Sequence, residues 1–224
     1  MVIPLLLGLA GCAAISPHNE AGALSYLALG DSYTIGEGVD AGARWPAQLA
    51  ARLRDEGVPL ADPRIVATTG WTTDELDAAI DAAQPLGRHD FVSLLIGVND
   101  QYRGRPLEEY QRQFAALLER AIGFAGGRAD RVLVLSIPDW GVTRFGRVSG
   151  RDTARISALL DAYNAAAQTI CGARGVAFVD ITGLSRQHGA QSTMLVDDGL
   201  HPSQVMYALW TQAALPVARR LLAR

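Results

Sequence analysis

The sequence predicts a doubly wound α/β domain, a parallel sheet with helices on both faces. Five apolar runs of strand length alternate with segments of helical spacing. Runs such as VSLLIG and VLVLSI are continuous rather than alternating, the pattern of strands buried on both faces. A length of 224 residues suits a single core, and 49% hydrophobic with 19% charged residues is the composition of a folding chain without low complexity or repeats.

In order, the first strand covers residues 26–29 (YLAL) and stops at the turn former Gly30. A helical pattern over 45–56 follows, then a strand over 64–67 (RIVA). The helix over 74–83 is announced by Thr72-Thr73-Asp74-Glu75, which reads as a capping box. A strand over 91–96 precedes a helix over 107–123, and a strand over 132–137 precedes a helix over 151–173. The fifth strand spans 176–181. In the final helix, over 204–222, Val205, Leu209, Ala213 and Val217 recur every four positions.

Ahead of this domain, MVIPLLLGLAGCAAIS is too short to span a bilayer and has the shape of a signal-peptide core. Leu9-Ala10-Gly11-Cys12 resembles the lipobox of bacterial lipoproteins, in which the signal is cut before the cysteine and that cysteine carries the lipid. The expected organisation is therefore a leader over 1–12, a linker over 13–22 and a folded domain over 23–224, with a membrane tether at Cys12. A disordered apolar leader and a signal cut by another peptidase are the competing readings. Cys171 is the other cysteine, so neither a disulfide framework nor a cysteine metal site is expected, and Cys171 reads as a buried small hydrophobe. The formal charge is −3 and no basic cluster is interleaved with aromatics, which sets nucleic acid aside as a partner.

Open parallel sheets bind ligands outside the carboxyl ends of their strands. Those ends read Gly30-Asp31-Ser32, Thr68-Thr69-Gly70, Gly97-Val98-Asn99-Asp100 and Pro138-Asp139-Trp140, and a long loop after the fifth strand reaches Asp197-Asp198-Gly199-Leu200-His201-Pro202. Four histidines allow elimination. His18 falls in the linker, His89 precedes the third strand at the opposite edge, and His188 lies in the polar stretch SRQHGAQS. His201 is the best candidate. Asp198 precedes it by three residues, and Pro202 suits a first helical turn. Asp197 is an adjacent rival, and spacing favours Asp198.

A serine hydroxyl is a poor nucleophile until a base takes its proton, and an imidazole oriented by a carboxylate can take and return one. Ser32, His201 and Asp198 supply these parts. The resulting oxyanion needs hydrogen-bond donors, which Gly70 and Asn99 can provide from two further strand ends. Each also has a plainer reading, Gly70 as a turn former and Asn99 as a loop brace.

These residues resemble the SGNH or GDSL esterases and lipases. GDSYTIGEG is similar to the first block of that family, ATTGWTTDEL to the second, IGVND to the third and DGLHP to the last, in family order from Gly30 to His201. The resemblance implies a single three-layer α/β/α domain with a five-stranded, mainly parallel, flavodoxin-like sheet. It also implies a metal-independent ester hydrolase without a cofactor, a nucleophile at Ser32 whose own N–H joins Gly70 and Asn99 in the oxyanion hole, and the pair Asp198 and His201. The first block reads Gly-Asp-Ser-Tyr where the family's short name ends in leucine. A Gly-x-Ser-x-Gly elbow is absent, which separates the chain from the α/β-hydrolases.

Arg103 and Arg105 follow Asn99 and are candidate ligands for an anionic group, although most such charges are solvated. Trp140 is a candidate wall for an acyl or sugar pocket. An open cleft acting on short acyl chains is expected, with simple esters, lysophospholipids or thioesters, and acetylated glycans as substrate classes. Two other readings are a catalytically silent envelope lipoprotein that binds glycan or lipid, and a flavodoxin-like cofactor binder. The second would need a phosphate loop, and GDSYTIGEG has neither Gly-x-Gly-x-x-Gly spacing nor a Walker lysine; the chain has no lysine at all.

Overall fold

A computed structural model describes residues 22–223. The leader, nearly all of the linker, Cys12 and His18 lie outside the described residues. Five strands, β1 (Tyr26–Gly30), β2 (Arg64–Ala67), β3 (Phe91–Leu95), β4 (Val132–Leu135) and β5 (Ala177–Val179), form one sheet in the order β2-β1-β3-β4-β5. Every neighbouring pair is parallel, so the sheet expected to be mainly parallel is parallel throughout. The chain winds outward in one direction from β1 to β2 and in the other from β3 to β5. This leaves a switch point between β1 and β3, where such sheets place their ligands. The register sets Gly30 beside both Ala67 and Leu95, so the first three strands end level with one another.

The central strands β1, β3 and β4 are buried at every position, while the edge strand β2 is partly exposed. Nine α-helices lie among the described residues: α1 (Ser32–Ile35), α2 (Trp45–Asp55), α3 (Thr73–Ala82), α4 (Val98–Tyr102), α5 (Leu107–Phe124), α6 (Arg144–Val148), α7 (Thr153–Ala173), α8 (Thr182–His188) and α9 (Gln204–Leu222). The helices α2 and α9 pack along each other, and α5 packs against both α3 and α7 to form the other layer. Trp45, Trp210 and Tyr207 fill the first layer, and Tyr110, Phe114 and Leu160 the second, all fully or almost fully buried. Cys171 is buried in α7, and burial pushes its thiol up to about 12, which makes it inert.

The five helices read from periodicity are α2, α3, α5, α7 and α9, each within two residues of its expected bounds. The capping box is present, with the Thr72 N–H donating to Glu75 Oε2 at 2.9 Å. Strands β4 and β5 are shorter than their apolar runs because side chains take over their ends. The buried Asn164 of α7 accepts from Ile137 N at 2.8 Å and donates to Ile137 O at 3.0 Å. Ser136 Oγ accepts from Ile181 N at 2.8 Å. The backbone there leaves the ladder with Ile137 N, Ile137 O and Ile181 N still paired.

Candidate active site

Strand β1 delivers Ser32 as the first residue of α1. Asp31 caps that helix, its Oδ1 accepting from Tyr33 N at 3.0 Å. The Ser32 N–H sits in the first turn, where a helix has no acceptor of its own to offer. Asp31 is fully buried, and its Oδ2 meets no hydrogen-bond partner among the described residues. Burial pushes its carboxyl up to about 8 against the opposing Tyr33 N–H bond, and the nearby Asp100 adds to the rise.

From the neighbouring strand ends come Gly70 and Asn99. Gly70 has φ +89°, and a Cβ there would meet nothing nearer than Arg103 Nη2 at 3.9 Å, so the left-handed backbone rather than crowding calls for glycine. Gly97 is constrained on both counts: φ is +125° and a side chain would collide with Tyr110 and Ile137. This allows α4 to start directly at the end of β3 and brings Asn99 to the sheet edge. Asn99 Nδ2 donates to Trp71 O at 2.8 Å. One of its two amide protons therefore braces the 68–72 loop, and the other is left over.

The long loop before α9 carries Asp198 and His201. Asp198 Oδ1 accepts from Leu200 N at 2.7 Å and His201 N at 3.0 Å, and Oδ2 bonds His201 Nδ1 at 2.6 Å. Burial opposes the charged form of Asp198, but the His201 bond and the two N–H groups outweigh it and hold the carboxyl below its ordinary range. Asp197, the rival, supplies only its carbonyl, to Arg144 Nη2. His89 bonds Leu86 O at the amino edge of the sheet and His188 contacts Gln191 at the end of α8, both away from the cleft.

Ser32, Gly70, Asn99 and His201 line one cleft of about 230 Å³. No hydrogen bond joins Ser32 to His201, and such bonds are often long where no substrate is bound. Trp140 lines the same cleft, only 1% exposed, its indole N–H donating to Gln101 Oε1 at 2.8 Å. Arg103 and Arg105 do not line it. Arg103 is taken up by Glu75 and the Gly70 carbonyl, and Arg105 by Asp74 at 2.6 Å with Glu109 nearby. Sequence reasoning passed over Tyr33, Phe145 and Leu200, which share the apolar wall with Val98, Tyr102 and Trp140. Tyr33 and Leu200 each adjoin a candidate residue and were findable by adjacency, whereas nothing in the sequence ties Phe145 to the cleft. Among the described residues no group of three or more His, Cys, Asp or Glu is placed to hold a metal ion.

Residues 28–209 match the GDSL-like lipase/acylhydrolase family, a span that includes every one of these cleft residues. The chain belongs to that family. This GDSL hydrolase is 28% identical over 225 residues to Esterase TesA of Pseudomonas aeruginosa, covering 96% of this chain and 98% of that protein. Its fold matches the crystal structure of TesA with a TM-score of 0.67 at 22% identity, covering 88% of this chain and 99% of the other. It also matches Axe2, an acetylxylan esterase from Geobacillus stearothermophilus, with a TM-score of 0.66 at 20% identity, covering 87% and 94%. A psychrotrophic esterase, EstA from Pseudoalteromonas sp., superposes with a TM-score of 0.67 at 17% identity over 89% and 99% of the two chains. As a GDSL hydrolase the protein is a carboxylic ester hydrolase.

Proposed function

We propose that this GDSL hydrolase cleaves short-chain carboxylic esters through an acyl-enzyme on Ser32. The observation that carries the proposal is the 2.6 Å bond from Asp198 to His201 Nδ1, set beside a cleft that His201 shares with Ser32, Gly70 and Asn99. A carboxylate accepting at Nδ1 assigns the ring proton to that nitrogen and leaves Nε2 as the base. In the reading that follows, Nε2 takes the Ser32 proton as Oγ attacks the ester carbonyl carbon. The oxyanion is met by the N–H groups of Ser32 and Gly70 and by the Asn99 amide. Its collapse expels the alcohol, which leaves with the proton from the imidazolium. Water, deprotonated by the same nitrogen, then releases the acid.

The cleft volume supports a small acyl group. At about 230 Å³ it lies below the roughly 300 Å³ at which pockets for drug-sized ligands begin. Phe145, Leu200, Tyr33 and Trp140 offer apolar contact to a few carbons. Acetyl and butyryl esters of simple or sugar alcohols fit this description better than long lipids. With chelator present, p-nitrophenyl acetate and butyrate are expected to turn over with kcat/KM at least about 10-fold above the dodecanoyl ester. A faster dodecanoyl ester would overturn the acyl assignment, and no turnover of any ester would favour the silent binding protein. The leader and Cys12 support an exported, lipid-tethered location. Mass spectrometry of the membrane fraction checks it, since an N-terminus that retains an unmodified Met1 rules the tether out.

A further inference from the structure

Three consecutive residues of the loop carrying Gly70 are each held by a side chain from outside it. The Thr69 hydroxyl donates to the Glu37 carboxylate. The Gly70 carbonyl accepts from Arg103 Nη2 at 2.6 Å, and the Trp71 carbonyl from Asn99 Nδ2 at 2.8 Å. Asn99 lies in α4 and Arg103 caps the end of that helix, four residues later, so the two reach the loop from one helical face. Arg103 is itself fixed by Glu75 Oε1 at 2.9 Å, and Glu75 is fastened to the start of α3 by the Thr72 N–H. Glycine has the widest backbone freedom of any residue and no side chain of its own to hold it in place. These bonds, at the residue before Gly70, at Gly70 itself and at the residue after it, fix the path of the loop and so hold the Gly70 Cα from which its N–H projects.

We infer that Arg103 is a positioning residue that pins the Gly70 loop, and with it the Gly70 N–H, beside the oxyanion position, rather than a ligand for substrate charge. This rests on the proposed role of Gly70. The Arg103 and Glu75 side chains are 43% and 39% exposed, so their ion pair contributes little to global stability and its loss leaves the fold intact. Removing an oxyanion donor outright lowers turnover by about 10²-fold or more, and letting one drift lowers it by less.

Arg103→Ala is therefore expected to lower kcat for p-nitrophenyl butyrate by about 10-fold, with KM within about twofold of the parent. A boronic acid reports the same geometry. Its boron bonds to Ser32 Oγ, the serine proton passes to His201, and a boron-bound oxygen takes the oxyanion position. Its affinity should weaken by the same factor as kcat. Arg103→Lys, which can reach only one of the two partners at a time, should fall between parent and alanine, as should Glu75→Gln. Added guanidinium should restore part of the Arg103→Ala loss. Unchanged kcat and boronate affinity in Arg103→Ala would overturn the inference. A rise in KM alone, confined to anionic esters, would overturn it in favour of a substrate ligand. If boronate inhibition of the parent enzyme does not depend on Ser32, the acyl-enzyme reading falls and this inference falls with it. If inhibition depends on Ser32 but not on Arg103, only the inference falls.

Discussion

Ser32→Ala is expected to lower kcat on p-nitrophenyl butyrate by about 10⁴-fold or more, leaving the slow hydrolysis that binding and the remaining oxyanion donors sustain. In the proposed mechanism the loss is large because alanine removes the Oγ that would form the acyl bond, while Gly70, Asn99 and the cleft wall stay where they are. His201→Ala should cost a similar factor, and the double variant should be no worse than either single one. Groups that act on one proton transfer fail together, so their losses do not add. A phosphonate ester offers a second readout. It should add one covalent mass to the peptide containing Ser32 in the parent enzyme and none in Ser32→Ala. Retention of more than about a tenth of parental kcat in Ser32→Ala would remove the nucleophile from the mechanism.

Asp31→Asn should stabilise the protein, and by an amount that grows with pH. The unfolded carboxyl loses its proton near its ordinary value of 3.8, whereas burial holds the folded one protonated up to about 8. Between those values the folded state binds the extra proton, so raising the pH drains stability from the native protein, the reverse of the usual behaviour of a paired carboxylate. Asparagine keeps the Oδ1 acceptor for the Tyr33 N–H and never ionises, so the variant lacks this slope. Thermal melts at about pH 4, 6 and 8 should show parent and variant nearly equal at the lowest value and several kcal/mol apart at the highest. A gap that stays constant with pH would mean that Asp31 is ionised inside the fold. Because the cap geometry is preserved, the variant should keep its esterase activity.

The strands were legible because the sheet is buried on both faces, and burial writes itself as unbroken apolar runs such as VSLLIG. The ends of β4 and β5 were not, since Asn164 and Ser136 replace ladder bonds with side-chain bonds and no local pattern announces that exchange. The helices α1, α4, α6 and α8 are four to seven residues long, too short for a period of 3.6 to show. The candidate site was legible through scarcity and spacing: of four histidines only His201 has a carboxylate three residues away at the productive edge. What spacing alone did not show is where charge goes once the chain folds. Arg103 and Arg105 look like a cationic cleft mouth in the sequence, yet the 68–75 segment folds back and takes both through Gly70, Glu75 and Asp74. The sequence places Asp31 only at the end of the first strand, and the packing of α1 onto the sheet is what makes it a buried acid.

The pairing of α9 with α2 has a consequence for folding. Ser32 is made early and folds at the end of the first strand, but His201 stands three residues before α9 and is held where that helix begins. Because α9 packs on α2, β4 and β5, the proposed pairing of Ser32 with His201 depends on the docking of that helix, and a domain with α9 undocked would hold the serine without its base.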